Sequence, residues 1–447
     1  MSKHALTWVV IFGVIAMMFV QLPQMAARQD AVLNTYRALV EVDALAKQHY
    51  VEPIEDDRLV EGAIRGMMLA LDPYSGYIAQ RDLAAFERRT HGDYIGVGVE
   101  VGIDAGQLTV IAPIDGSPAA VAGIMAGDVI LAIDDRDLDG LSVFDAEEML
   151  AGQAGTNVRL RVQHTNQNEP TELKVLRGPV VIGAVRGFGR NGDGGWGYMI
   201  DPVHRIGYVR VSSFHDNTMR EFDAALEELR GQQVRGLIID LRFNPGGLLH
   251  QAVAMVDRFI VSGLIVSTVT RRRAVEEYAA TEQGTIAGLP LAVLVNGASA
   301  SSAEIVAGSL QDHGRAVIVG ERTFGKGSVQ HLIHLTNDKA AVMLTGALYR
   351  LPNGRIIHRG PRDGPTESWG VMPDIEVPLS KEETRTIQSA RKTVDASPAH
   401  GPESSAGDQA AALANMPPAP SPQILRDRQL AAALSSLSER VDSQPAP

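Results

Sequence analysis

The chain has 447 residues, a formal net charge of -12 and no cysteine. That length exceeds one ordinary hydrophobic core and calls for two or three domains, while the acidic balance argues against nucleic acid as a partner. The missing thiols exclude disulfides, thiolate nucleophiles and cysteine-ligated zinc or iron–sulfur centres; no cofactor and no metal site is expected.

A charge-free run from Ala5 to Ala27, almost wholly apolar between Trp8 and Val20, follows Lys3. It is long enough for a signal-peptide core and close to the ~20 residues of a spanning helix. Cutting after Ala26 or Ala27 would leave Gln24 or Met25 where signal peptidase wants a small residue, so 1–27 reads as an uncleaved membrane anchor, with a cleaved signal as the alternative. Lys3 is the only early positive charge, which exports the remainder to the periplasmic face of an inner membrane.

Residues 28–91 read as a helical region. Arg28 to Gln48 places Val32, Tyr36, Leu39 and Val40 on one side, and Leu59, Val60, Ala63, Ile64, Met67, Met68 and Leu71 repeat at helical spacing until Asp72-Pro73. A short helix covers about Arg81 to Arg89.

The period then changes to two. Asp93 to Val101 reads as one strand carrying Tyr94-Ile95-Gly96-Val97-Gly98, followed by a strand at Gln107 to Ile111, the block Ala126 to Ile133, a helix at Val143 to Leu150 and strands at Val158 to Gln163 and Thr171 to Leu176. This small β-barrel pattern over Gly92 to Arg177 resembles a PDZ domain. In such a groove the amides of Tyr94, Ile95, Gly96, Val97 and Gly98 would meet a peptide carboxylate, and the adjoining strand edge would pair with the peptide. The plainer reading of Gly96 and Gly98 is a tight bend.

From Ile206 the pattern is β-α-β, giving an α/β core over 178–380 with a parallel or mixed sheet and functional loops at the carboxyl ends of strands. Strands are expected at Ile206 to Val211, Val234 to Arg242, Leu264 to Thr270, Leu291 to Asn296 and Ala316 to Gly320. Helices follow at Asn217 to Arg230, Leu248 to Phe259 and Ser301 to Gln311. Arg271-Arg272-Arg273 reads as a solvated run. A hairpin at Ser328 to Leu335 and Ala341 to Leu344 turns at Asn337-Asp338, and Tyr349 to Ile357 and Gly370 to Val377 complete the core. Residues 381–447 read as a flexible tail, with a Pro/Ala-rich linker from Ser389 to Pro422 and a short helix over 424–437.

Two side chains stand out for chemistry. Ser301 opens a helix after an apolar strand, and Lys326, between Gly325 and Gly327, follows 25 positions later. A desolvated lysine can serve a serine as base without histidine. If the chain after Gly325 is extended, Lys326, Ser328 and Gln330 share a face, which lets Gln330 orient the amine. The amides of Gly246, Gly247 and Ser302 could converge as oxyanion donors. Plainer readings stand beside these: Ser301 with Glu304 forms a capping box, and a lone loop lysine is usually solvated. Gly320-x-x-x-x-Gly325-Lys326 lacks the Ser or Thr and the following helix of a phosphate loop. His313, His331 and His334 sit in no nucleophile elbow, though a histidine-dependent hydrolase remains an alternative.

Several blocks, in order, resemble the C-terminal processing peptidases, or tail-specific proteases, over roughly Tyr36 to Pro378. They are Leu71-Asp72-Pro73-Tyr74-Ser75, the PDZ-like block, Ile206-Gly207-Tyr208-Val209-Arg210, Asp240-Leu241-Arg242-Phe243-Asn244-Pro245-Gly246-Gly247, the stretch Val293 to Gln330, and Gly370-Val371-Met372-Pro373-Asp374. The resemblance selects Ser301 over Ser299 and Ser302 as nucleophile, with Lys326 as base and Gln330 beside it. The usual Ser-Ala-Ser-Ala-Ser-Glu run here ends Ser301-Ser302-Ala303-Glu304. The resemblance implies a serine endopeptidase whose PDZ groove engages free C-terminal tails of protein substrates, with PDZ movement aligning Lys326 and Gln330. A homo-oligomer or an adaptor is compatible with it, and a noncatalytic PDZ scaffold is the alternative.

Overall fold

The computed structural model describes residues 36–104, 106–138, 143–164, 167, 169–192, 195–272, 275–336, 340–360, 369–395 and 427–443. The Ala5 to Ala27 run, Arg273, the Asn337-Asp338 turn and most of the Pro/Ala-rich linker lie outside them. Among the described residues no helix is long and apolar enough to cross a membrane.

Met1–Ala79 and Gln80–Pro447 form separate compact units. The first holds a helix over 36–49, a second at Asp56–Leu69 and a strand at Gly76–Ile78. The second helix stops where sequence placed its end: the Asp72 carboxylate accepts from the N–H groups of Tyr74 and Ser75 at 2.8 and 2.7 Å, an Asx turn that replaces helical bonds.

Within the second unit, Val97, Val101, Val110, Ile130, Ile133, Val158, Leu160, Val162 and Val175 form the PDZ-like core. Its sheet runs Val99–Asp104, Gln107–Pro113, Val129–Ile133, Asn157–Gln163, Thr171–Leu176. Asn157–Gln163 alternates exposed and buried side chains as a one-faced sheet requires. The single strand expected from Asp93 to Val101 is two. Asp93–Gly96 pairs with Gly178–Val181 in a neck where the chain enters and leaves the module. Gly98, at φ 79°, then turns it into Val99–Asp104.

The protease core is a mixed sheet ordered Val185–Arg186, Ile206–Val211, Gly236–Asp240, Leu291–Val295, Ala316–Gly320, Ile375–Glu376, with Met199–Asp201 also beside Ile206–Val211. The central pairings are parallel and those of 185–186 and 199–201 antiparallel. One face packs on the helices Thr218–Gly231, Leu249–Asp257 and Ser302–Asp312. Residues of the other face, including Tyr208, Ile238, Leu294 and Val319, meet Leu430, Ala433 and Leu437 of the helix Arg428–Asp442. Coverage on both faces explains why these strands are apolar throughout. A second, antiparallel sheet contains Ser328–His334, Ala341–Arg350, Leu264–Thr270 and Val275–Ala279. Arg271 and Arg272 are exposed in its turn.

The carboxyl end of the chain is more ordered than its composition suggested. A helix spans Lys381–Asp395, through the expected start of the linker, with Ile387 and Ala390 buried. The Ser380 and Glu383 side chains exchange capping bonds with each other's N–H at 2.7 and 3.2 Å. The helix expected at 424–437 occupies Arg428–Asp442, because Asp427 caps it by accepting from the N–H groups of Gln429 and Leu430. The strand expected at Ala341 to Leu344 continues to Arg350, into the stretch Tyr349 to Ile357, and Ile375–Glu376 is a short strand within Gly370 to Val377.

Candidate active site

Three loops leave the carboxyl ends of adjacent parallel strands: 241–248, 296–301 and 321–327. Backbone bonds lace them together. Ala300 N–H donates to Asn244 O at 2.9 Å, Phe324 N–H to Ser299 O at 3.0 Å and Glu321 N–H to Val295 O at 3.1 Å. Ser299 Oγ donates to Leu241 O at 2.8 Å, so this neighbouring serine is committed to scaffolding.

Ser301 sits between strand and helix at φ 56° and ψ -118°. A non-glycine residue there costs roughly 1–3 kcal/mol, held by its surroundings; strained strand-to-helix turns present nucleophilic serines in other hydrolases. Much of the restraint comes from Glu304, which is wholly buried. Its Oε2 accepts from Ser301 N–H at 2.9 Å and Lys326 N–H at 2.8 Å; its Oε1 accepts from Gly325 N–H at 2.7 Å and Thr323 Oγ1 at 2.5 Å. One carboxylate thus ties the serine to the lysine loop. It also takes up the N–H groups of Gly325 and Lys326, and strand rather than helix follows them, unlike a phosphate loop. Burial pushes Glu304 above the usual carboxylate range, against the pull of its four hydrogen bonds.

Lys326 is half-buried, and burial lowers its pKa from the ordinary value of 10.5 while the Glu304 charge opposes the shift. Gln330 does not orient the lysine amine: its Nε2 donates to Ser328 Oγ at 2.9 Å and Thr345 Oγ1 at 3.3 Å. Ser328 and Gln330 do share a face, as alternation expects, and the register shift between Val329 and Gln330 leaves the unmatched residue, Gly346, on the partner strand.

The expected oxyanion donors divide. Gly246 N–H donates to Asn244 Oδ1 at 2.8 Å. The N–H groups of Gly247 and Ser302 have no acceptor among the described residues, and Ser302 Oγ donates to Gly247 O at 2.8 Å, holding the two loops together. Only glycine fits at 246 and 247: a Cβ on Gly246 would lie 2.7 Å from Ser301 Cβ, and one on Gly247 would lie 2.0 Å from Phe214 O. Tyr349, which sequence reasoning missed, donates its N–H to Gly327 O at 2.8 Å. Burial pushes its phenol up to about 12, with the neighbouring Ser301 hydroxyl pulling it back. No sequence signal marked it, since nothing local sets which strand crosses the serine.

None of the three histidines near the site in sequence takes the place of the lysine. His313 caps the far end of the serine helix, roughly 18 Å from Ser301 at 1.5 Å per residue, with Nε2 on Leu264 O at 2.7 Å. His331 and His334 are exposed on Ser328–His334.

The PDZ-like residues also divide. Tyr94, Ile95 and Gly96 belong to the neck ladder, the Val97 side chain is buried in the module's core, and Gly98 O accepts from Ser117 Oγ at 2.8 Å. Val99–Asp104 is one edge strand of the module's sheet and pairs on one side with Gln107–Pro113. Val99, Glu100, Glu147 and Leu150, with Tyr94, line part of a cleft of about 730 Å³ that continues to Arg186, Trp196 and Tyr198. The sequence reading stopped one residue short of that edge because it ran both strands together.

Comparison with known proteins matches three segments of the chain. Peptidase family S41 matches residues 205–377, a PDZ domain matches 109–164, and the activating protease CtpB N-terminal domain matches 16–82. The carboxy-terminal-processing protease of Bartonella bacilliformis is 36% identical over 352 residues, covering 77% of this chain and 76% of that protein. The carboxy-terminal processing protease CtpA of Bacillus subtilis is 33% identical, covering 74% of this chain and 67% of its own. Among solved structures, a photosystem II D1 C-terminal processing protease shares 32% identity at a TM-score of 0.41, over 73% of this chain and 84% of that one. With the S41 core and the PDZ module in one chain and relatives of this similarity, the protein belongs to the carboxy-terminal processing proteases, serine-type peptidases of family S41.

Proposed function

We propose that the protein is an endopeptidase that takes free C-terminal tails of protein substrates into its PDZ groove and cleaves them with Ser301 as nucleophile and Lys326 as base. The observation that carries this reading is the Glu304 carboxylate, which binds the N–H groups of both Ser301 and Lys326 in one buried knot. Gly247 and Ser302 N–H would stabilise the oxyanion of the tetrahedral intermediate, worth about 2.7–4 kcal/mol per donor. Lys326 would take the Ser301 proton as the hydroxyl oxygen attacks the scissile carbonyl, then return it to the leaving amine. In the resting arrangement Gln330 bonds Ser328 rather than Lys326, which suits a gate that closes on the lysine when a tail docks.

The test compares matched peptides with free and amidated C-termini. The free-carboxyl peptide is expected to show at least tenfold higher kcat/KM, and a noncleavable tail peptide is expected to accelerate cleavage of a short reporter. Equal rates for the two peptides would remove the PDZ assignment, no acceleration would remove the gate, and activity surviving Ser301→Ala would remove the site itself.

The apolar run Ala5 to Ala27 supports a second part of the proposal: the body is exported and stays at the membrane through that segment. Washed membranes are expected to retain the chain at alkaline pH; release of a shortened soluble form would show a cleaved signal instead.

A further inference from the structure

The helix Arg428–Asp442 does more than cover the sheet. Its cap residue Asp427 and its second residue Gln429 are buried and reach Arg242, which lies between the strand Gly236–Asp240 and the turn Asn244 to Gly247. Arg242 Nη1 donates to Asp427 Oδ1 at 2.9 Å and to Gln429 Oε1 at 3.1 Å, while Nη2 donates to Asp240 Oδ2 at 2.7 Å and Nε to Asp240 Oδ1 at 3.1 Å. One guanidinium is therefore held from both sides, by its own strand and by a helix more than 180 residues away in sequence.

The charges show why the distant side is required. Asp240 is also approached by the Arg391 guanidinium and accepts from the Tyr208 hydroxyl at 2.7 Å. With Asp427 present, two buried arginines face two buried carboxylates; without it, a single carboxylate faces both. A buried charge that loses its partner destabilises its surroundings far more than the pair stabilised them. The disturbance would fall on the reacting loop. Phe243, next to Arg242, is at φ 65°, a conformation that persists only where its surroundings dictate it. On its far side, Phe243 N–H donates to Asn296 Oδ1 at 3.0 Å, and Asn244 O accepts from Ala300 N–H at 2.9 Å. Arg242 is the anchor on the near side, and the Gly247 amide follows five residues later.

We propose that Asp427 and Gln429 are positioning residues for peptide hydrolysis, clamping Arg242 so that the Asn244 to Gly247 turn presents its amide to the oxyanion. This rests on the reading of that turn as part of the active site. Because such donors act on the transition state, loss of the clamp lowers kcat and leaves substrate binding nearly unchanged.

The experiment uses the full chain and a free-carboxyl tail peptide. Asp427→Asn keeps an oxygen for the helix cap and removes only the charge; it is expected to lower kcat at least tenfold with KM within twofold. Leu437→Ala on the same helix removes a buried apolar side chain far from Arg242 and is expected to lower Tm while kcat, measured below the transition, stays within twofold. If Asp427→Asn does not fold, Gln429→Met is expected to show the same kcat loss with unchanged KM. Wild-type kcat in the folded Asp427 or Gln429 variant, with Ser301→Ala inactive, would overturn the clamp alone. An equal kcat loss in Leu437→Ala would also overturn it, by making the effect one of general stability. Activity persisting in Ser301→Ala would instead overturn the site reading beneath it.

Discussion

Replacing Lys326 with alanine is expected to lower kcat/KM by about 10²–10⁴-fold, the contribution of a positioned general base. A lysine in water stays protonated at neutral pH and cannot take the Ser301 proton, so the site must favour the neutral amine. Burial does this, lowering the pKa from 10.5 while Glu304 acts in the opposite direction. The sign for the pH profile follows. The active form is unprotonated, so log kcat/KM rises with pH up to the depressed lysine value and levels above it. A solvated lysine would instead hold that limb near ~10.4. Lys326→Arg should be as inactive as Lys326→Ala, because guanidinium does not deprotonate in this range, whereas His313→Ala should retain full activity. A variant without the lysine that kept a tenth of the activity, or a limb near the solvated value, would end the lysine mechanism.

The places of Ser301 and Lys326 in the fold were legible in sequence because each stands at a punctuation mark: one at the junction of an apolar strand and a helix, the other between two glycines. The order of the parallel core was legible for a related reason. Strands such as Leu291–Val295 and Gly236–Asp240 are buried on both faces and carry no polar residue before their carboxyl ends. The partners of Gln330, Ser328 and Thr345, were not legible, because Thr345 comes from the pairing with Ala341–Arg350, which the local chain does not encode. The break between Asp93–Gly96 and Val99–Asp104 was hidden by a local ambiguity: Gly96 and Gly98 both fit a bend, and only Gly98 has positive φ.

The C-terminal segment shows the other limit of sequence reading. Lys381–Asp395 looks polar because its contribution to packing rests on two buried positions, Ile387 and Ala390. Arg428–Asp442 looks like a marginal amphipathic helix in isolation, and short helices in water are marginal. Its stability comes from the apolar face of a sheet built by residues 206–319 and from Asp427 meeting a buried arginine. Neither partner is visible from the segment itself. Glu304 is the intermediate case: its cap was legible, but its second function required Gly325 and Lys326 to arrive from a different loop.

That second function gives Glu304→Gln a distinctive expected result. The carboxylate receives two donors on each oxygen, whereas an amide offers one accepting oxygen and turns an NH2 group toward the other pair. Either orientation leaves two buried donors unsatisfied: the N–H groups of Ser301 and Lys326, or Gly325 N–H and the Thr323 hydroxyl. At about 1–3 kcal/mol for each, the fold should lose about 2–6 kcal/mol by chemical unfolding. Loss of an ordinary helix cap costs about 0.5–2 kcal/mol. The kinetics separate the two roles further. Glu304 holds up the Lys326 pKa against burial, so removing its charge should carry the acid limb of kcat/KM to lower pH even as kcat falls through misalignment of Ser301. A pure cap would leave that limb in place. A fall in kcat with an unmoved limb would therefore reduce Glu304 to a structural residue, whereas the combined shift and loss would show that one carboxylate sets both the position of the nucleophile and the basicity of the lysine that activates it.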